Sequence, residues 1–189
     1  MERLVNRSVT AMLEHQIVRE EQQAVIIYGL DLLYSSIISL LSFVVLGSFL
    51  NRLLPTAVLL LFFIPLQSFG GGYHCQTHFR CWLLMMIGYL AAVFVLMNLP
   101  LYILWSMMLI GAYAILKFAP IENPAAPFGE CFRKKMRRIM LVVFAAAVLL
   151  AGIFSVMREE LASPILVAVI LSEVSITSAK IKQVYMEKK

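Results

Sequence analysis

Ile139-Met-Leu-Val-Val-Phe-Ala-Ala-Ala-Val-Leu-Leu-Ala-Gly-Ile-Phe-Ser-Val-Met157 is a run without one charged side chain, and it follows directly on Arg133-Lys-Lys-Met-Arg-Arg138. A helix needs roughly 20 apolar residues to cross the hydrocarbon of a bilayer, and about 17 still suffice. The run meets that length, and cations massed at one end mark a cytoplasmic membrane boundary. The rest of the chain repeats the pattern. Of its 189 residues 61% are hydrophobic and 14% charged, with a mean hydropathy of +0.87. A soluble domain of this size leaves much of its surface in water and cannot hide so much apolar area. The composition predicts an all-α, polytopic membrane helical bundle.

Apolar stretches at 27–50, 53–69, 82–98, 100–118, 139–157 and 162–179 give about six transmembrane helices. The second is the weakest. Its continuous part, Leu53 to Leu66, is short and holds Pro55 and Pro65, which reads as a bent span or a re-entrant element. Only Asn98 and Pro100 separate the third from the fourth, so these two are expected to form a tight hairpin. Residues 1–24 differ. Val5, Val9, Met12, Leu13 and Ile17 recur at helical spacing, while Glu2, Arg7, Glu14, Arg19 and Glu20 lie elsewhere on the turn. The pattern predicts an amphipathic helix in the membrane interface, with packing on a partner as the alternative. No apolar core followed by a small-residue cleavage site opens the chain, so no removable signal peptide is expected. With no internal repeat, residues 1–189 are expected to form a single integral membrane domain.

The 16 Lys and Arg outnumber the 11 Asp and Glu. In a chain this apolar, the excess reads as a topology signal and not as a nucleic-acid surface. With the N-terminus inside and six crossings, 14 of the 16 basic residues fall inside, leaving only Arg52 and Arg158 outside. Both termini are therefore predicted to be cytoplasmic. A four-span arrangement with two re-entrant stretches would keep much of the asymmetry. Two cytoplasmic connections result, 67–81 and 119–138.

The first connection gathers His74, Cys75, His78 and Cys81 behind Gly70, Gly71 and Gly72. A thiol becomes a useful nucleophile when an imidazole takes its proton. On a straight helix His74 and Cys81 would share a face but stand about 10 Å apart along the axis, so their pairing needs a bend, which the glycines before His74 permit. His78 reaches Cys81 without one if the segment is helical. The residues themselves leave the base open. Two plainer readings compete: a His-Cys-x2-His-x2-Cys zinc site, although structural zinc usually draws ligands from two arms, and incidental interfacial residues. Neither metal nor cofactor is expected. The odd cysteine count gives no disulfide framework. Asp31 and Glu173 are acids inside apolar stretches, where ionisable groups are costly and often functional. They leave a small transporter or metal-binding membrane protein as the alternative function, beside a non-catalytic membrane partner.

Gly71-Gly72-Tyr73-His74 followed by Cys81 resembles the Gly-Gly-x-His-x6-Cys signature of the AgrB family of quorum-sensing peptide-processing enzymes. The amphipathic start, the hydrophobic pattern and Ala119-Pro-Ile-Glu-Asn-Pro124 before a basic run are similar too, so the resemblance covers essentially the whole chain. It implies a multi-pass cysteine endopeptidase of the bacterial cytoplasmic membrane, acting as a homodimer. Such an enzyme cuts the C-terminal part from an AgrD-like propeptide and closes a thiolactone or lactone ring. Carried over by position, Cys81 is the nucleophile and His74 its base. Backbone N–H groups of Gly70, Gly71 and Gly72 are candidate oxyanion donors. Arg133, Lys134, Lys135, Arg137 and Arg138 read either as headgroup contacts or as a dock for an acidic propeptide tail. The chain departs from the pattern at Gln67, where many members carry Arg, and at Gly70, where Ala or Ser is common.

Overall fold

The computed structural model describes residues 23–71, 78–121, 130–157 and 159–187, together with Val9 and Met12. The described elements are all helical: α1 Gln23–Phe49, α2 Leu53–Gly70, α3 His78–Phe94, α4 Leu101–Phe118, α5 Glu130–Met157 and α6 Glu159–Glu187, with a 3-10 turn at Leu96–Asn98. Val9 and Met12 are helical, and the rest of the expected amphipathic helix lies outside the described residues. Chain contacts define two units, residues 1–46 and 47–189.

In the first unit α1 carries the apolar stretch Leu33–Phe49, shorter than the other candidate spans. The second unit holds five helices long and apolar enough to cross a bilayer. At its centre stands α6. In its membrane-length window 61% of residues are buried, against 17–28% in the other four. The cause lies in its sequence: Ala162, the run Ile165 to Ile170, Ser172, Ile176 and Ala179 cover its whole circumference, and a helix apolar all round belongs in a core. It packs against α2, α4 and α5, and α2 also meets α5. The outer faces carry large exposed apolar side chains such as Ile110 at 80% and Val156 at 90% exposure, tolerable only in lipid.

Short connections fix the helix ends. Asn51 takes the left-handed conformation (φ 52°) that closes α1, with Arg52 N–H donating to the Gly47 carbonyl at 2.8 Å and Asn51 N–H to Ser48 at 3.1 Å. Asparagine is among the few residues that accept this geometry, and the two bonds occupy carbonyls the helix leaves open. At the next turn the Asn98 side-chain amide donates to the carbonyls of Val93 (3.2 Å) and Phe94 (3.0 Å), and Pro100 starts α4. The connection is short as expected, but the two helices it joins do not pack along one another as a tight hairpin would: α4 packs on α6 instead.

Two readings change. The stretch at 53–69 is one unbroken helix through Pro65, 18 residues and about 27 Å long, a full crossing by length. Pro55 falls in its first turn, where a missing N–H costs nothing. The basic segment expected as loop up to 138 is helical from Glu130, because Lys and Arg are good helix formers and α5 simply runs on beyond the apolar layer.

A buried polar contact joins α2 to α3. The Thr56 hydroxyl donates to the Arg52 carbonyl at 2.7 Å, so the Tyr89 hydroxyl donates to Thr56 Oγ1, also at 2.7 Å. Thr56→Val keeps the volume and removes that acceptor. A loss of about 1 kcal/mol is expected, read as a lowered midpoint of thermal unfolding in detergent. An unchanged midpoint would deny the contact a stabilising role.

Candidate functional site

The ends of α2 and α4 and the start of α5 come together in the second unit, through the Gly70–Ile121 and Arg137–Leu116 hydrogen bonds. Cys81 is the fourth residue of α3, half-buried and outside any disulfide. Beside it Phe79 and Trp82 stack with ring centroids 6.0 Å apart, and Phe79 is 68% exposed. Trp82 is of the kind that settles at the boundary between hydrocarbon and headgroups. His78 begins the same helix, so its backbone stands one turn from Cys81 and no bend is needed between them. Gly72, His74 and Cys75 lie outside the described residues.

The glycine run does two separate jobs. Gly70 ends α2 and is buried. A Cβ there would lie 3.2 Å from Ile176 Cδ1 on α6 and 3.6 Å from Met140 Cγ on α5, so the helix end is wedged between those two neighbours. Its N–H belongs to the helix ladder, and its carbonyl accepts the Ile121 N–H at 3.0 Å. Gly71 then turns the chain with φ 70° and ψ 167°, a region open essentially to glycine alone. A Cβ at Gly71 would overlap the Ile121 carbonyl oxygen and lie 3.1 Å from the Ile121 nitrogen. The glycine run and the Ala119-Pro-Ile segment are therefore fastened main chain to main chain, though far apart in sequence. Glu122 and Asn123, which follow directly, lie outside the described residues.

Under this clamp α6 forms a platform. Gln67, one turn before Gly71, donates from its side-chain amide to Ser175 Oγ at 2.8 Å, while its Oε1 is buried with no hydrogen-bond partner among the described residues. An Arg here would bring its charge to a spot that now holds a neutral amide-to-hydroxyl bond. Glu173 is 3% exposed, lies against Gly111 of α4, and has an Oε1 without a partner among the described residues. Met107, Ile170 and Thr177 line a shallow groove with it. Asp31 has its backbone in α1; its side chain lies outside the described residues.

The basic run occupies the first turns of α5, with Arg133, Lys134, Lys135, Arg137 and Arg138 all exposed. Arg137 has a role in the fold. Arg137 Nη2 donates to the Leu116 carbonyl at 3.0 Å, closing the C-terminal end of α4. Sequence reasoning did not foresee Ile121 as the partner of Gly70 or Ser175 as the partner of Gln67. The Ala119-to-Pro124 segment was visible as a motif, yet a main-chain contact leaves no side-chain signature.

The chain is similar to an AgrB-like protein 2 of Clostridium perfringens strain 13, 26% identical over 182 residues that cover 89% of this chain and 84% of the relative. It is also similar to an AgrB-like protein of Clostridium perfringens strain SM101, 25% identical over 148 residues, 73% of this chain and 68% of the relative. No solved structure matches it significantly. The sequence model of the accessory gene regulator B family matches residues 5–177, nearly the whole chain, clamp and Cys81 included. The chain belongs to the AgrB family.

Proposed function

We propose that this chain is a membrane cysteine endopeptidase that cleaves an AgrD-like propeptide through an acyl-enzyme on Cys81 and promotes closure of the product into a thiolactone or lactone. Family membership supports a role in quorum sensing of the accessory-gene-regulator kind. The observation that carries the finer reading is the clamp. The Gly70–Ile121 hydrogen bond and the Gly71 turn hold the start of the 71–77 connection in one shape, and that connection leads into the helix bearing Cys81.

In this account His74 takes the Cys81 proton, and Sγ attacks a propeptide carbonyl. The C–N bond breaks, the proton passes to the leaving amine, and a thioester remains on Sγ. The helix ladder already uses the Gly70 N–H, so the oxyanion donors are the N–H groups of Gly71 and Gly72, or those of the first turn of α3, which have no helical acceptor. A thiol or hydroxyl of the bound peptide then attacks the thioester and frees Cys81. When the attacker is a thiol, one thioester replaces another and no external energy source is needed. Interfacial depth limits competing water. The site faces the cytoplasm, as the charge distribution predicts.

The reading is tested with the full chain in vesicles and its cognate propeptide. The expected product is cyclic, lighter by one water than the linear fragment; a linear product alone would remove the cyclising half of the proposal. His74→Ala is expected to stop cleavage and His78→Ala to leave most of it, although His78 shares a helix with Cys81. The reverse pattern would make His78 the base. The exposed cations of α5 dock the acidic propeptide tail. Converting Lys134, Lys135 and Arg138 to Glu is then expected to raise the apparent KM about tenfold while kcat holds. An equal fall in membrane insertion would reduce their role to topology.

A further inference from the structure

Arg137 and Lys117 are like charges at the same end of α4. The Arg137 guanidinium is anchored on the Leu116 carbonyl, next to Lys117 in sequence. Lys117 Nζ lies 4.9 Å from the centroid of the Tyr113 ring and 5.7 Å from that of Phe118, and it donates to the Tyr113 hydroxyl. Neither cation has a carboxylate partner among the described residues, and both are exposed. Each is thus held in place by neutral groups, aromatic faces and a helix-end carbonyl, so the pair presents a net double positive charge of fixed position. Two uncompensated cations at one helix end draw an anion from the headgroup layer.

Directly along α4 from this pair runs an apolar stripe. Leu109 (67% exposed), Ile110 (80%), Tyr113 (59%) and Leu116 (49%) fall, at about 100° per residue, on the side of α4 that carries Lys117. A ligand that meets both features has a phosphate at one end and hydrocarbon at the other. We infer that the Lys117–Arg137 pair between α4 and α5 is a binding site for one anionic phospholipid of the leaflet at the basic end of the bundle, its phosphate on the two cations and an acyl chain along Leu109, Ile110 and Leu116. An acidic peptide would satisfy the cations but leave the stripe unused, and a free phosphate likewise. This site does not depend on the chemistry proposed for Cys81.

The test is native mass spectrometry of the full chain released from nanodiscs of phosphatidylglycerol mixed with phosphatidylcholine. A retained phosphatidylglycerol adduct is expected, weakened about fivefold in Lys117→Gln and further in the double variant with Arg137→Gln, but little in Lys134→Gln. Lys117→Arg is expected to keep it, which separates charge at this position from loss of fold. An equal loss in Lys134→Gln would mean diffuse attraction to the whole basic segment and would overturn the site. So would full displacement of the lipid by glycerol 3-phosphate or by an acidic peptide, either of which would show that the hydrocarbon stripe contributes nothing.

Discussion

Cys81→Ala is expected to abolish propeptide cleavage, lowering the rate at least about 10³-fold while leaving the protein folded and inserted. The side chain is half-buried near the start of a helix, and removing one sulfur there leaves only a small cavity. Everything the chemistry needs is lost with the sulfur: the attack, the thioester and the leaving group for ring closure. Cys81→Ser is expected to be almost as inactive, because a hydroxyl at the same place is a far weaker nucleophile without a strong base. The measurement is propeptide turnover in vesicles, normalised to inserted protein. Cleavage at even a tenth of the normal rate in Cys81→Ala would remove the thiol from the mechanism.

The second large effect is expected at a residue with no reactive group. Gly71→Ala places a methyl group where the Ile121 carbonyl oxygen now sits, at a φ and ψ that side-chain-bearing residues avoid. The backbone strain alone is about 1–3 kcal/mol, and the overlap cannot be relieved by a rotamer change since both contacting groups are main chain. The turn has to open. A displacement of about 1 Å in the connection that follows is enough to cost roughly 100-fold in rate. Gly70→Ala is the informative comparison: its neighbours are the ends of the Ile176 and Met140 side chains, which can shift, so a much smaller loss is expected. Equal, mild effects of the two substitutions on turnover would mean that the clamp does not shape the site.

The contrast between these two glycines shows where sequence reading stops. Three glycines in a row announced backbone freedom, but only one of the two described uses it, and the reason is Ile121, some 50 residues away. Contacts of that separation depend on how α2 and α4 dock on α6, and no local pattern encodes them. The helices themselves were legible because the bilayer demands long apolar runs, which is why Leu53–Gly70, Leu101–Phe118 and the apolar part of α5 fall where hydropathy put them. The signal failed once the chain left the hydrocarbon. From Glu130 to Arg138 six of the nine residues are charged, so hydropathy reads a loop although Lys and Arg continue a helix readily. Proline misled in the opposite direction at Pro55 and Pro65, since a first-turn proline is harmless and the helix passes the other unbroken. The central place of α6 was hidden for a different reason: a buried helix and a lipid-facing one look alike in hydropathy, and only Ser172 and Glu173 hinted that its surroundings are protein.

At the site, the start of α3 just before Cys81 was readable from the apolar pattern. The choice between His74 and His78 was not, and the helical start at His78 sharpens the question by meeting the condition under which His78 needs no bend. Gln67 stood out as a departure from the family pattern, but its bond to Ser175 could not be foreseen from either residue.

The account's central claim is that the propeptide becomes esterified to Cys81. The direct measurement is a rapid quench of the full chain with its propeptide in vesicles, followed by digestion and mass mapping. The account predicts a transient adduct with the mass of the propeptide's N-terminal part on the peptide containing Cys81, discharged by hydroxylamine and absent in Cys81→Ala. Cleavage that proceeds with no adduct at Cys81, or with one on Cys131, would contradict it.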